Sequence, residues 1–199
     1  KLAADQGYSN AQYELGKYYS EGLGGVDKNM DEAMKYFKLA AEQGNPGAQA
    51  CLGSICEIEN NFDEAVKWYK LSANSGFPPA QYNLAVCYQL GNGVEKNMNE
   101  AIKYFKLSAN QGLSQAQSAL GMCYLKGNGV EYSEKESFIF LSLAAEQGDE
   151  DAQQALKNYF KEDTENINKD KGVVNYVGNG RFQFEKGLAY FYGDGVEKN

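Results

Sequence analysis

The sequence predicts an all-α fold in which helix-turn-helix units stack as a solenoid. A segment made of a small pair, two polar residues and a glycine recurs along the chain and ends at Gly7, Gly44, Gly76, Gly112 and Gly148. An Ala-Gln pair begins four residues after each of these glycines. The glycines follow one another at intervals of 32 to 37 residues, which is typical of arrays whose neighbouring units share one continuous core.

Each full unit is predicted to hold a first helix, a turn and a second helix. In the third unit Ala80, Leu84 and Tyr88 recur at helical spacing and form one apolar face. The glycines of Gly91-Asn92-Gly93-Val94 are predicted to end this helix, because glycine adopts backbone conformations that other residues resist. The second helix is predicted to begin near Asn97.

The second helices carry their own recurring signature. Their apolar and small positions align as Ala33/Tyr36/Phe37/Ala40, Ala65/Trp68/Tyr69/Ser72, Ala101/Tyr104/Phe105/Ser108 and, more weakly, Ser137/Phe140/Leu141/Ala144. Carboxylates recur in the predicted first turn, where they suit the positive end of the helix dipole: Asp31/Glu32, Asp63/Glu64 and Glu134/Glu136. The glycines that follow these helices, Gly44, Gly76 and Gly112, are predicted to adopt left-handed C-caps.

The spacing divides the chain into complete and incomplete units. The array is predicted over 1–160, a degenerate repeat or linker over 161–177, and the start of a further repeat over 178–199. Both ends interrupt a unit, so we expect a piece of a longer array. The units within the array are predicted at 8–44, 45–76, 77–112 and 113–148, with the first helix of a fifth at 149–160.

The combined pattern resembles the Sel1-like repeat family. The pattern runs Ala-x-x-x-Leu-Gly-x-x-Tyr-x-x-Gly-x-Gly-Val, then Ala-x-x-Tyr-Phe-x-x-Ala-Ala-x-x-Gly, and residues 1–160 and 178–199 carry it. The resemblance implies a right-handed α/α superhelix related to tetratricopeptide repeats, and a scaffold or adaptor that assembles protein complexes. Some secreted relatives pair a cysteine in each first helix with one in the second. This chain has Ser72, Ser108 and Ala144 at those second-helix positions, so it departs from that branch.

Charge and cysteine content narrow the partners and the compartment. The net charge is −8 with both signs interspersed, which argues against a nucleic-acid surface. No apolar run approaches the length of a membrane span, so we expect no direct membrane insertion. The cysteines, Cys51, Cys56, Cys87 and Cys123, lack the arrangement of a disulfide framework and are interpreted as buried small hydrophobes. This interpretation and the absence of glycosylation sequons favour a reducing compartment such as the cytoplasm.

The residues do not predict catalysis. The chain has no histidine, which removes Ser-His-Asp and Cys-His nucleophile pairs and every histidine-containing metal site from it. The glycine-rich turns are not followed by Gly-Lys-Ser/Thr, so they are not phosphate-binding loops. No cofactor or metal site is predicted. A β-lactam-handling enzyme is a remote alternative, since the chain has no Ser-x-x-Lys motif.

Binding is the function that the sequence favours. Between the recurring residues of each first helix lies a stripe that varies from unit to unit. We predict that a partner peptide or helix binds along the concave first-helix face. The alternative for the same residues is that they line the groove between helices, and the alternative function is a structural spacer or layer in a larger assembly. The candidate partner-binding residues are Tyr13, Lys17, Tyr82, Val86, Gln89, Met122 and Leu125.

Overall fold

The computed structural model describes residues 2–160 and, for the backbone alone, residues 173–176, 180–185 and 188–193. None of the described helices is both long enough and apolar enough to cross a membrane. The elements in chain order are α1 (Leu2–Asp5), α2 (Ser9–Glu21), α3 (Met30–Glu42), α4 (Pro46–Ile58), α5 (Phe62–Asn74), α6 (Pro78–Leu90), α7 (Met98–Asn110), α8 (Ser114–Lys126), α9 (Glu134–Glu146), α10 (Glu150–Tyr159), β1 (Val173–Tyr176), β2 (Gly180–Glu185) and β3 (Leu188–Gly193).

The helices are organised as helix-turn-helix repeats. The chain divides into two compact units, residues 1–116 and 117–199. In the first unit the helices of one repeat pack together, α2 with α3, α4 with α5 and α6 with α7. Within the first unit a second helix also packs against the first helix of the following repeat, α3 against α4 and α5 against α6, and in the second unit α9 packs against α10. This architecture confirms the predicted all-α repeat fold.

Each second helix begins at a polar residue that caps its backbone. The side chains of Asn29, Asn61, Asn97 and Ser133 each accept a hydrogen bond from the backbone N–H three residues further on. Such caps satisfy donors that a helix start leaves unpaired. The carboxylates predicted for the first turns lie there in the structure: Asp31, Glu32, Asp63, Glu64, Glu134 and Glu136. This placement confirms that they belong to the helix starts.

The second helices end in left-handed glycines, as predicted. Gly44, Gly76 and Gly112 have φ of +84°, +83° and +89°. At Gly44 the backbone N–H donates to the carbonyl of Ala41, and the next N–H, of Asn45, donates to that of Ala40. This pair of bonds is the Schellman motif, which satisfies the last carbonyls of a helix. It fixes the angle at which one repeat leads into the next.

The core lies between helices and is made of small residues facing large ones. Ala33, Ala65 and Ala101 are fully buried at one position of successive second helices. In the second repeat Gly53 allows the ring of Tyr69 to approach α4, since a Cβ at Gly53 would lie 2.5 Å from its Cε1. A side chain on Gly53 would therefore push the two helices apart. Close helix contact thus depends on small residues, as the sequence indicated.

The carboxyl segment differs from the helix expected for a further repeat over 178–199. The structure has a three-stranded antiparallel sheet in the order β1-β2-β3. Val173 pairs with Gln183, and Glu185 pairs with Leu188. Most of the predicted linker, residues 161–172 and 177, lies outside the described residues.

Local composition explains this difference. Phe182 and Lys186 replace the alanine and leucine that the first helices of the array carry, so the helical signature is incomplete here. Phe182 and Phe184 alternate with polar residues in β2, and β3 contains Tyr190, Phe191 and Tyr192. Aromatic residues and period-two alternation favour strands. The division of the chain after residue 160 remains a prediction.

Candidate interaction face

We define the first-helix face as the variable stripe of the first helices. Its residues in the described repeats are Tyr13, Lys17 and Ser20 on α2; Ala50, Ser54 and Glu57 on α4; Tyr82, Val86 and Gln89 on α6; and Ser118, Met122 and Leu125 on α8. Most of these side chains are half-buried. Ala50 and Ser118 are buried instead, with 7% and 8% exposure, because such short side chains do not extend beyond the helix surface.

In the first repeat the face is built on Tyr13. Its ring centroid lies 6.2 Å from that of Phe37 on α3, and a Cβ added at Gly47 on α4 would lie 2.7 Å from its Cζ. Glycine at position 47 therefore makes room for the ring between two repeats. The ammonium of Lys17 lies 5.6 Å from the Tyr13 ring centroid and 3.5 Å from Glu14. Both predicted residues are thus partly exposed, and the charge of Lys17 is already paired.

In the second repeat the face carries a carboxylate held by a tyrosine. The hydroxyl of Tyr69 donates a 2.7 Å hydrogen bond to Oε2 of Glu57 and lies 3.2 Å from Oγ of Ser54. Tyr69 is fully buried, while Glu57 and Ser54 are half-buried. Burial, together with the bond to Glu57, raises the pKa of the Tyr69 hydroxyl above its usual range. This hydroxyl therefore remains a donor throughout the physiological pH range.

In the third repeat the face is apolar and aromatic. The Tyr82 ring centroid lies 5.8 Å from that of Phe105 on α7, with an angle of 50° between the planes. Val86 and Gln89 are half-buried on the same helix. Their positions correspond to those of Ser54 and Glu57 one repeat earlier. The chemistry of the face therefore changes from acidic to apolar between adjacent first helices.

The remaining two candidate residues lie in the second unit. Met122 and Leu125 are half-buried and pack against a core cluster that contains Phe138, Leu141 and Leu156. All seven candidate residues are half-buried, and Tyr13, Met122 and Leu125 pack against core clusters. Half-burial agrees both with a partner-binding face and with groove lining, so their role remains a prediction.

The Ala-Gln and Gln-Gly motifs, in contrast, have a structural role. Each Gln of an Ala-Gln pair lies at the start of a first helix. In the first, third and fourth repeats the side-chain oxygen of this glutamine accepts a 2.7 Å hydrogen bond from a second glutamine, which directly precedes the cap glycine. The donors and acceptors are Gln43 and Gln12, Gln111 and Gln81, and Gln147 and Gln117. The Ala-Gln glutamine also donates to the preceding repeat, as Gln12 does to Ala4 and Gln81 to Ala73. These amides connect the helices within a repeat and the repeats to each other.

The second repeat lacks one of these amide bridges. Ser75 stands where the other repeats have glutamine, and its hydroxyl lies 3.2 Å from the carbonyl of Leu71 in its own helix. Gln49 still donates to the carbonyl of Ala41, but its buried Oε1 accepts no hydrogen bond from any described residue. The sequence contained the signal, since serine interrupts an otherwise regular Gln-Gly motif, but the bridge itself was not predicted.

The sequence predicted that all four cysteines are buried, and the structure confirms this for two of them. Cys87 and Cys123 are buried, whereas Cys51 and Cys56 are half-buried, and all four are free thiols. Burial raises the pKa of both the Cys51 and the Cys87 thiol to about 11. Within the described residues no group of three or more His, Cys, Asp or Glu is placed to hold a metal ion.

The fold and the variable first-helix face define a protein of the α/α helical-repeat class. The family model described as Sel1 repeat matches residues 9–45, 48–77, 78–113, 114–149 and 183–199. The chain therefore belongs to the Sel1 repeat family, whose members generally act as protein-interaction modules and are typically non-catalytic scaffolds. The last matched segment includes β3 and the second half of β2, the part where a further repeat was expected.

Solved structures agree with this assignment. A Sel1 repeat protein from Oxalobacter formigenes is 31% identical, with a TM-score of 0.75, and the match covers 84% of this chain and 70% of that one. A protective antigen of uropathogenic Escherichia coli with the same repeat fold is 36% identical, with a TM-score of 0.73, over 81% of this chain. Helicobacter pylori cysteine rich protein B, at 22% identity, a TM-score of 0.53 and coverage of 65% of this chain and 96% of its own, shares the fold.

Two of these similar proteins are much longer than the matched region. This chain spans 35% of the Escherichia coli antigen. It also matches the rat protein named DAP3-binding cell death enhancer 1, at 40% identity over 58 residues, which are 29% of this chain and 11% of that protein. Neither match assigns a partner or a binding face to this chain.

Proposed function

We propose that this chain is a non-catalytic scaffold that binds a peptide or helix of a partner protein along the first-helix face. The proposal is supported by a division between recurring and variable residues. The recurring residues are used in caps, amide bridges and core contacts, as Gly76, Gln81 and Ala101 illustrate. Most of the variable residues of the first helices remain partly exposed. A repeat array that binds protein would present such a surface.

A selection experiment tests this proposal. A phage-displayed library of random dodecapeptides is selected on the unmodified chain and on the double variant Tyr82→Ser/Val86→Ser. The matched control is Leu71→Ser/Leu107→Ser, which removes apolar side chains that are 50% and 43% exposed on the second helices. We expect peptides that bind the wild type and the control but not the face variant, with unchanged helical circular dichroism.

The opposite results are equally clear. If no peptide is enriched on the wild type, the peptide-binding function is refuted and the spacer interpretation is favoured. If the enriched peptides bind the face variant as well as the wild type but no longer bind the control variant Leu71→Ser/Leu107→Ser, the binding surface lies on the second helices.

A further inference from the structure

We infer that the first-helix face binds partner segments that contain a lysine or arginine next to an apolar residue. The basic side chain would pair with Glu57, and the apolar side chain would contact Tyr82 and Val86. This inference rests on the proposed function and specifies the partner that the same face takes.

The first argument is that Glu57 forms none of the ion pairs seen among the described residues. Among the described residues the ion pairs join Lys17 to Glu14 and, on the second helices, lysines to glutamates one turn earlier. None of them includes Glu57. Its Oε2 accepts a hydrogen bond from the Tyr69 hydroxyl, and we assign Oε1 to the ligand. A half-buried carboxylate without a positive partner favours the binding of a cation.

The second argument concerns the charge of the surrounding face. In the first unit the stripe contains two charged residues, Lys17 and Glu57, and Glu14 already pairs with Lys17. Glu57 is therefore the unpaired charge of this surface. The corresponding residues of the neighbouring first helices, Ser20 and Gln89, are neutral. The electrostatic complement of the face is a single positive charge at the second repeat.

The third argument is that the carboxylate is held in place before binding. Tyr69 lies on α5, and its hydroxyl reaches Glu57 of the first-helix face through the close approach that Gly53 allows. The other second helices have Phe37, Phe105 and Leu141 at this position, which have no hydroxyl. A fixed acceptor loses less side-chain entropy on binding, which increases affinity and sharpens the preference for one ligand geometry.

The apolar requirement comes from the next repeat. Residues of α4 and α6, among them Ala50, Leu84 and Cys87, belong to one core cluster. The negative charge of Glu57 also contributes to the raised pKa of Cys87, after burial as the main cause. Tyr82 and Val86 on α6 are half-buried and present apolar surface. A segment that crosses both helices thus meets a carboxylate and then an apolar surface.

The test uses the same phage-displayed dodecapeptide library. It is selected on the wild type, on Glu57→Gln and on Glu59→Gln, a matched control that removes one carboxylate from the exposed end of α4. We expect the wild-type and control selections to converge on peptides with lysine or arginine at one position next to an apolar residue. The Glu57→Gln selection should lose the basic residue at that position.

The best wild-type peptide is then compared with an analogue in which citrulline or norleucine replaces the basic residue. Glu57→Gln should weaken the parent peptide about tenfold, the loss expected for one charge-assisted hydrogen bond, and change binding of the neutral analogue less than about twofold. Tyr69→Phe, a residue that two other repeats carry, should reduce the preference for the basic peptide over the analogue without changing helicity. This readout separates a positioning role from a purely structural one.

The outcomes distinguish this inference from the function on which it rests. Peptides that enrich on the face without a basic position would overturn the inference and leave peptide binding intact. Equal losses for Glu57→Gln and Glu59→Gln would also overturn it, since the effect would then be one of net charge. A wild-type selection without any enriched peptide would refute both.

Discussion

Replacing Ser75 with glutamine should stabilise the second repeat by completing its amide bridge. In the first, third and fourth repeats the equivalent glutamine donates to its partner at 2.7 Å. In the second repeat the acceptor, Oε1 of Gln49, belongs to a side chain that is only 6% exposed and accepts no hydrogen bond from a described residue. The variant Ser75→Gln places a donor of the right length at the same helix end.

The size of the effect follows from two opposing contributions. Leaving a buried acceptor unpaired costs about 1–3 kcal/mol, and this cost would be removed. Ordering the new glutamine costs up to about 2 kcal/mol, although the equivalent Gln43 and Gln111 remain largely exposed and need not lose all their freedom. We therefore expect a net gain in the free energy of unfolding of about 1 kcal/mol.

The chain provides a local probe for this measurement. Its one tryptophan, Trp68, lies on α5 in the same repeat. Urea unfolding followed by Trp68 fluorescence, together with amide hydrogen exchange of α4 and α5, reports on this repeat rather than on the whole array. That distinction matters because repeat arrays unfold as coupled local units.

Two control variants isolate the bridge. Ser75→Ala removes the hydroxyl and its contact with Leu71 without supplying a donor, so it should not reproduce the gain. Gln111→Ser creates the same defect in the third repeat and should speed exchange in α6 and α7. An equal gain for Ser75→Ala and Ser75→Gln would refute the reasoning, because helix propensity alone would then explain it.

Four further predictions concern a buried hydroxyl, two turn glycines and the solution pH. Ser137→Ala should raise stability by about 1 kcal/mol in urea unfolding, because its buried hydroxyl has no partner among the described residues and the three earlier repeats hold buried alanines there. Gly76→Ala should cost about 1 kcal/mol, since nothing lies within 4 Å of an added Cβ and only the left-handed φ is strained. Gly93→Ala should cost clearly more in the same assay, because its Cβ would overlap the carbonyl of Phe62; equal costs would contradict the packing argument. Stability should fall as the pH rises above about 9, because the unfolded Cys87 thiol ionises there while burial keeps the folded one protonated up to about 11. Urea midpoints at successive pH values should show a shallower fall for Cys87→Ala, and an unchanged slope would exclude this thiol as the cause.

The sequence predicts the repeats well because their determinants are local. Gly44 and Gly112 end helices through their own backbone conformation, and Asn97 caps α7 by accepting a hydrogen bond from the backbone N–H three residues further on. Each of these effects acts within one turn of the chain, so a fixed pattern of residue types is sufficient to identify it. The buried alanines belong to the same class, because the period of 3.6 residues places them on one side of the helix.

The candidate site is less accessible to such reasoning. The bond from Tyr69 to Glu57 joins two helices, and whether a tyrosine hydroxyl reaches a given carboxylate depends on how closely the helices approach. The close approach depends on Gly53, which has no Cβ. A residue pattern identifies this glycine but does not give the distance between the two helices. The strands β2 and β3 were not predicted for another reason, because the glycine-rich motif Gly193-Asp194-Gly195-Val196 near the carboxyl end matches that of the earlier turns.

The two ends of each repeat differ in how much change they tolerate. The amide bridges and the Schellman caps lie at the end where one repeat leads into the next, and they set the register between neighbours. The opposite end holds the turn between first and second helix, which spans residues 22–29 in the first repeat but only 59–61 in the second. Its length has varied without loss of the hairpin, and longer loops add little closure entropy. The turn of the second repeat is therefore a suitable point for grafting foreign sequence, so that the array would display an inserted loop while its helical register stays intact.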